Sequence, residues 1–129
     1  MDKTEKESVV KARIGQSIFK KELLAVEKKC KLCGVSDERF LVASHIKPWS
    51  QSNHQERLDS NNGLLICPNH DALFDKGYIS FDREGVILIS DGLDGATKLF
   101  LNINENMKIN MSEKQRIYME WHRGYMFIK

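Results

Sequence analysis

Two pairs of metal-ligating residues stand out, each with two residues between its members: Cys30 with Cys33, and Cys67 with His70. This gap lets both side chains of a pair reach one tetrahedral ion, and Zn²⁺ accepts a Cys₃His ligand set. Four protein ligands leave no open position for water, so the pattern predicts a structural zinc rather than a catalytic one. Such a site would contribute on the order of 10 kcal/mol to folding.

The cysteine pair has an alternative as a redox pair, with Cys67 as a buried thiol. Redox pairs of this spacing belong to a βαβ context, which this sequence lacks, so zinc is favoured. His70 has an alternative as a ligand of a second, catalytic metal. The charged N-terminal residues lead into no apolar signal core, and the cysteine count of three is odd. Both features favour reduced thiols, metal binding and a cytoplasmic location.

Four polar residues accompany the second ligand pair: His45, Asn62, Asp71 and Asp75. The two aspartates are four apart on a predicted helix and therefore share a face, where they can hold a hard cation such as Mg²⁺ or Mn²⁺. A neutral histidine near that ion can deprotonate water for attack on phosphorus. Each residue also has a simpler interpretation. His45 ends a strand, Asn62 belongs to a turn, and Asp71 is a surface carboxylate near a helix N-terminus. Asp75 is a helix-end residue paired with Lys76 or with a neighbour in the hairpin.

Several runs of sequence resemble the HNH endonucleases, in particular the HNH domain at the C-terminal end of restriction-type nucleases. The runs occur in family-like order and spacing over residues 11–82. They are Gly15-Gln16-x-x-Phe19, Ala43-Ser44-His45-Ile46-Lys47-Pro48-Trp49, Arg57-Leu58-Asp59-x-x-Asn62-Gly63-Leu64-Leu65, and His70-Asp71-Ala72-Leu73-Phe74-Asp75-Lys76-Gly77-Tyr78-Ile79-Ser80-Phe81.

The resemblance implies a ββα-metal fold in which His45 is the general base and Asn62 orients the loop carrying it. Asp71 and Asp75 would be the ligands of the catalytic metal. Many relatives carry histidine at those two positions, so the carboxylates favour a hard metal. Many relatives also place an aspartate ligand directly before the catalytic histidine. Here that residue is Ser44, which leaves Ser44, His45 or water as the third ligand.

Phosphate contacts are expected from Lys47 and Arg57, beside the loop of the base, and from Lys76, which follows the second aspartate. Weaker candidates lie on the first helix: Lys11, Arg13, Lys20 and Lys21. Trp49 is expected to pack under the loop. The formal net charge is only +2, so we expect weak, salt-sensitive binding by this chain alone. Sequence specificity would then come from a separate domain or from a homodimer.

The elements that must position these residues predict an α+β fold. It has a ββα-metal core with a treble-clef-like zinc knuckle, flanked by N- and C-terminal helices and a C-terminal β-hairpin. Residues 1–129 would form one domain: a leading helix over 5–28, knuckle and core over 30–77, and hairpin and last helix over 78–129. The predicted segments are strands at 40–45 and 64–66, a loop over 48–62, a helix over 68–75, and a hairpin of 78–81 with 86–89. The stretch 91–110 is ambiguous, and a strand near 98–103 is one interpretation of it. The last helix starts at a capping box of Ser112 and Gln115 and ends before Gly124.

The leading helix is expected to bury one stripe formed by Val10, Ile14, Ile18, Phe19, Leu23 and Val26. His54 and His122 are expected at the surface. The functional hypothesis is a metal-dependent DNA endonuclease of a restriction or phage-defence system, with RNA as an alternative substrate. The competing hypothesis is a zinc-containing module that binds nucleic acid without catalysis. No apolar run approaches the length of a membrane span.

Overall fold

The computed structural model describes residues 2–129 as an α+β fold with two small antiparallel sheets. Strand β1 pairs with β2, and β3 pairs with β4. No helix within 2–129 has the length and apolar content needed to cross a membrane. The elements in chain order are α1 (Lys3–Val26), β1 (Val42–His45), α2 (His54–Leu58), β2 (Gly63–Ile66), α3 (Pro68–Asp75), β3 (Ile79–Phe81), β4 (Ile87–Ile89), α4 (Gly95–Phe100) and α5 (Glu113–Tyr125).

Helix α1 packs on the first sheet through a close approach at Gly63. A Cβ atom at that glycine would lie 2.6 Å from Phe19 Cζ and 3.0 Å from Leu23 Cδ2, so any larger residue would push the helix away. Phe19 and Leu23 are buried at this contact. The predicted helix is confirmed, but its predicted buried stripe is partly wrong, because Val10, Ile14, Ile18 and Val26 are exposed.

The connection between β1 and β2 is more ordered than the loop predicted over residues 48–62. Asn53 and Glu56 form a capping box, in which each side chain accepts a hydrogen bond from the other's backbone N–H. This box starts α2, a single turn of helix. The turn was not predicted because its residues show no apolar periodicity. Short 3₁₀ turns at Trp49–Gln51 and Ser60–Asn62 flank that turn of helix.

Helix α3 has the predicted bounds and leads through Gly77, in a left-handed conformation with φ of 81°, into the predicted β3–β4 hairpin. The strand expected near residues 98–103 is wrong. Asp94 accepts a hydrogen bond from the Thr97 backbone N–H, and this N-cap begins the short helix α4 instead. Apolar residues at 99–101 suggested a strand, but a local cap determines the structure there.

Helix α5 begins at the predicted Ser112–Gln115 capping box but continues through Gly124 to Tyr125. His122 was expected at the surface and is instead buried, with 1% of its surface exposed. Its Nε2–H donates to the Phe74 carbonyl at 3.0 Å, and its Nδ1 accepts from the Ser80 hydroxyl at 2.8 Å. The ring also stacks on Phe74 at 3.9 Å. His122 therefore ties α5 to α3 and β3. His54 is exposed, as expected.

Burial of His122 should make the stability of the protein sensitive to acid. Desolvation lowers the pKa of His122 to about 4, against a weaker upward effect of the Phe74 carbonyl and the Asp75 charge. Because the unfolded chain takes up the proton first, the contribution of neutral His122 to stability is complete above pH 6.5. It is lost as the pH falls toward 4. Between pH 7 and pH 5 we expect a loss of about 2 kcal/mol from this residue.

Urea unfolding of wild type and His122→Gln at both pH values measures this effect, since glutamine can replace both hydrogen bonds without titrating. The free energy of unfolding should fall more steeply with acidity in wild type. Equal slopes in the two proteins would contradict the assignment.

Candidate functional site

The four predicted zinc ligands come together in one cluster. One ligand atom from each of Cys30, Cys33, Cys67 and His70 lies within 4.8 Å of the others. The turn after α1 supplies the first two, closed by the hydrogen bond from the Cys30 N–H to the Val35 carbonyl. The end of β2 and the first turn of α3 supply the other pair. Three sulfurs and one imidazole at this separation suit a tetrahedral Zn²⁺.

The orientation of His70 fits a metal ligand. Its Nε2–H donates to the carbonyls of Leu101 and Asn102, at 3.0 and 3.1 Å. A carbonyl only accepts, so Nε2 carries the proton and Nδ1 presents its lone pair. Nδ1 faces the sulfurs of Cys67 and Cys30, at 3.3 and 3.5 Å. A hydrogen bond on the distal nitrogen is the usual way in which a protein fixes a metal-binding imidazole.

The electrostatics of the cluster also fit a bound cation. Burial opposes ionisation of Cys30, but its contact with His70 lowers the pKa of this thiol to about 6. Burial and the neighbouring Cys30 raise the pKa of Cys33 to about 12. Protein groups alone therefore do not keep these sulfurs ionised together. A divalent cation would supply the missing charge, as zinc does in thiolate sites.

The predicted general base, His45, lies at the end of β1 beside α1. Its ring stacks on Phe19 at a centroid distance of 3.8 Å and meets the edge of Trp49 at 5.6 Å. Its Nε2–H donates to the Arg57 carbonyl at 2.9 Å, so Nδ1 is the atom that can accept a proton. Burial and the charge of Arg57 lower the pKa of His45, although the Arg57 carbonyl opposes them. The imidazole is therefore neutral at neutral pH.

Asn62 closes the loop that carries this histidine. Its side chain is fully buried, and its Oδ1 accepts a hydrogen bond from the Lys47 N–H at 2.8 Å. Its Nδ2 donates to the carbonyls of Glu56 and Lys47, at 3.1 and 3.2 Å. One amide thus bridges the segment after β1 and the turn before β2. The Arg57 carbonyl that holds His45 lies in the bridged segment.

The predicted metal-binding aspartates lie on α3, which packs against β1. The Ser44 hydroxyl, one residue before His45 on β1, lies near Asp71. Burial raises the pKa of Asp71, the nearby Ser44 hydroxyl opposes this, and the Asp75 charge raises it further. Among residues 2–129, no ion pair includes Asp71 or Asp75. Two mutually repelling carboxylates without a cationic partner fit a hard divalent metal.

A third protein ligand for that metal is not apparent in the described part of the chain. Asp71 and Asp75 belong to no cluster of three or more histidine, cysteine or carboxylate ligand atoms there. No hydrogen bond in residues 2–129 joins His45 to either aspartate. The Ser44 hydroxyl is thus the protein group beside Asp71, in the position where sequence comparison left the third ligand open.

The three side chains predicted to contact phosphate differ in how far their charges are already paired within the protein. The Lys47 ammonium pairs with Glu56 at 3.0 Å and lies 5.7 Å from the Trp121 ring, so its charge is partly used within the protein. Arg57 lies over Trp49 at 4.7 Å, its Nε–H donates to the Trp49 carbonyl, and its charge acts on His45. Lys76 is exposed beside Asp75.

Helix α5 supports the loop from outside, which the sequence alone did not suggest. The Tyr118 hydroxyl donates to Asp59 Oδ2 at 2.8 Å, and Asp59 Oδ1 caps the turn at the Asn61 N–H. Gln115 Nε2 donates to the Gly63 carbonyl at 3.2 Å. These residues are 52 to 59 positions from their partners, so no local motif could reveal them. The Asn53-x-x-Glu56 capping box, by contrast, was readable in the sequence.

The central part of the chain is similar to a known protein family. Residues 30–82 match the sequence model of a family described as HNH endonuclease. The matched segment runs from the first zinc ligand through β3 and includes His45, Asn62, Asp71 and Asp75. Helix α1 precedes it, and α4 and α5 follow it. No curated protein matches the chain at a significant level.

Loss of one sulfur ligand should cost stability before anything else. We expect about one equivalent of zinc in wild type and less than half an equivalent in Cys33→Ser, with a clearly lower thermal midpoint. Elemental analysis and thermal unfolding, with and without a chelator, measure both quantities. Asp71→Asn is the matched control, because Asp71 adjoins His70 but is not a ligand of this cluster. A Cys33→Ser protein with unchanged zinc and chelator resistance would contradict the structural zinc.

Loss of the Tyr118 hydroxyl should loosen the turn that ends at Asn62. We expect Tyr118→Phe to lower the free energy of unfolding by about 1 kcal/mol and to speed hydrogen exchange at the Asn61 and Asn62 amides. Tyr125→Phe is the control, since that tyrosine lies on the same helix and is 76% exposed. Exchange rates that change equally in the two variants would argue against support by α5.

Proposed function

We propose that this chain, a member of the HNH endonuclease family over residues 30–82, is a metal-dependent nuclease that hydrolyses phosphodiester bonds in DNA. The observation that carries the proposal is the state of His45. Its Nε2–H is held by a backbone carbonyl, its pKa is lowered, and its Nδ1 is available as a base. The structural His122 shares the carbonyl contact and the lowered pKa, but its Nδ1 is bonded to Ser80. The Nδ1 of His45 has no hydrogen-bond partner among residues 2–129, and His45 lines an open groove.

In this mechanism His45 accepts a proton from the attacking water at Nδ1. The Arg57 carbonyl stabilises the imidazolium that forms, because the Nε2–H hydrogen bond strengthens when the ring becomes charged. Phe19 and Trp49 fix the plane of the ring. Asn62 holds the loop and thereby the carbonyl. The proton acceptor is thus oriented before substrate binds, which lowers the cost of reaching the transition state.

Asp71 and Asp75 would hold Mg²⁺ or Mn²⁺, with Ser44 beside them. Such an ion, when bound, stabilises charge on the phosphate and on the departing oxygen. Arg57 supplies a fixed positive charge next to the base and is our candidate for a contact to the scissile phosphate. Lys47 and Lys76 are candidates for flanking phosphates, with Lys47 the weaker because Glu56 pairs with it.

The proposal includes three further expectations from the sequence. Residues 1–129 form one domain, the enzyme is cytoplasmic, and it acts in restriction or phage defence. With a net charge of +2, target selection would depend on a separate specificity domain or on a homodimer. Zn²⁺ at the Cys₃His cluster would serve the fold, and the hard metal would serve the reaction.

One observation favours a second candidate function. Asp71 has Ser44, rather than a carboxylate or imidazole, as its neighbour on β1. A hydroxyl is a weaker metal ligand than either of those groups. If the metal is not retained, the chain would act as a zinc-containing module that binds nucleic acid without cleaving it.

A plasmid-nicking assay with Mg²⁺ or Mn²⁺ separates these functions. Wild type should nick supercoiled DNA, and His45→Ala should lower the rate by at least 100-fold, since a general base contributes about 10²–10⁴. His54→Ala is the matched control, because this histidine is exposed on α2 and has no proposed role. Equal rates for wild type and His45→Ala would refute His45 as the base.

The same assay tests the proposed metal ligands. Asp71→Asn and Asp75→Asn should lose both activity and its dependence on added divalent metal, while retaining zinc. Binding of DNA by wild type without any nicking would favour the non-catalytic module.

A further inference from the structure

A groove of about 430 Å³ runs from the proposed base along the outer side of β1. Helix α1 forms one wall with Gln16, Phe19 and Lys20, and residues 39–43 form the other, with His45 at one end. The α1 wall precedes residues 30–82, so the family match does not account for it. The groove thus adds surface next to the base that the proposed mechanism has not used.

The charges around the groove suit a polyanion. Lys20 and Arg39 line opposite walls, and no carboxylate lines it. Arg39 does pair with Asp37, through Nη2 at 2.7 Å and Nε at 3.1 Å. Its side chain is nevertheless 80% exposed, and ion pairs at such exposure contribute little. A phosphate can therefore compete for this guanidinium.

The wall opposite α1 also carries an exposed aromatic ring. Phe40 is 55% exposed, whereas the next residue, Leu41, is 2% exposed. Phe40 ends the 3₁₀ turn over Glu38–Phe40, which Asp37 caps. The Arg39 guanidinium lies 5.7 Å from the ring centroid. An exposed ring with cations beside it is the combination by which proteins bind unpaired nucleic-acid bases.

We propose that this groove holds an unpaired stretch of DNA strand, with Lys20 on a backbone phosphate and Phe40 stacked on a base. The proposal rests on the proposed function, because it makes the groove the path by which the strand reaches His45. Stacking on Phe40 requires a free base face, and in a duplex both faces are covered by neighbouring bases. The preferred ligand is thus single-stranded, frayed or locally opened DNA.

The test measures binding without turnover. Fluorescence anisotropy of labelled DNA is recorded with zinc-loaded protein and no added Mg²⁺ or Mn²⁺, for a single strand and for its duplex. Wild type should bind the single strand more tightly. Phe40→Ala should weaken that binding about tenfold, in the range expected for one stacked base. Phe100→Ala is the matched control, because Phe100 is 81% exposed on α4 and does not line the groove.

Salt dependence tests the phosphate contact. Lys20→Gln should reduce the slope of log K against log salt by about 0.7, the value for one phosphate of a single strand. Lys114→Gln, an exposed lysine on α5 away from the groove, should leave the slope unchanged. Because Lys20, Phe40 and the two control residues are not part of the zinc cluster or the core, thermal midpoints should stay within a few degrees of wild type.

Three results would overturn the groove proposal: tighter binding of the duplex, equal affinities of Phe40→Ala and Phe100→Ala, or no measurable binding of the single strand by wild type. Its failure can be told apart from failure of the proposed function. Nicking that depends on His45, with single-strand binding insensitive to Phe40, refutes the groove alone. Single-strand binding that depends on Phe40, without nicking under any metal, refutes the nuclease alone.

Discussion

The side chain of Asn62 is the constraint on which the rest of the site depends. The segment from Ile46 to Asn61 contains no long helix or strand, only short turns whose own hydrogen bonds are local. By bonding the backbone of Lys47 and of Glu56 at once, Asn62 closes the segment into a loop of fixed shape. The imidazole of His45, our proposed base, is then positioned by a carbonyl of that loop, so its geometry follows from the amide rather than from β1 alone.

The Cys₃His cluster, once it holds a metal ion, would play the same part for the other half of the fold. A two-stranded sheet and a two-turn helix offer little apolar surface, and small folds of this kind often depend on a metal for stability. The cluster joins the end of α1 to the start of α3, and His70 extends the connection to the carbonyls of Leu101 and Asn102. Metal binding and the packing of the C-terminal region are thereby coupled through one imidazole.

Sequence reasoning succeeded where a property is local. The ligand spacing, the Ser112 capping box, the bounds of α3 and the hairpin around Asp82–Gly85 all depend on residues within a few positions of one another. It failed where contacts between residues far apart in the sequence determine burial. His122 has no sequence mark of burial, because its partners Phe74 and Ser80 lie more than 40 residues away. The apolar residues of α1 predicted one continuous buried stripe. Only Phe19 and Leu23 are buried where the helix approaches Gly63, and Ile14 and Ile18 are exposed.

The contact at Gly63 has a consequence for how such proteins can vary. With 2.6 Å between a notional Cβ at this position and the Phe19 ring, the two sites cannot drift independently. A relative with a side chain at position 63 must carry a smaller residue at 19 or a displaced helix, and displacement would also move the ring that stacks on His45. The leading helix is therefore not a detachable extension of the segment at residues 30–82 that matches the family. In chains that keep this architecture, a side chain at position 63 should therefore occur only together with a smaller residue at position 19.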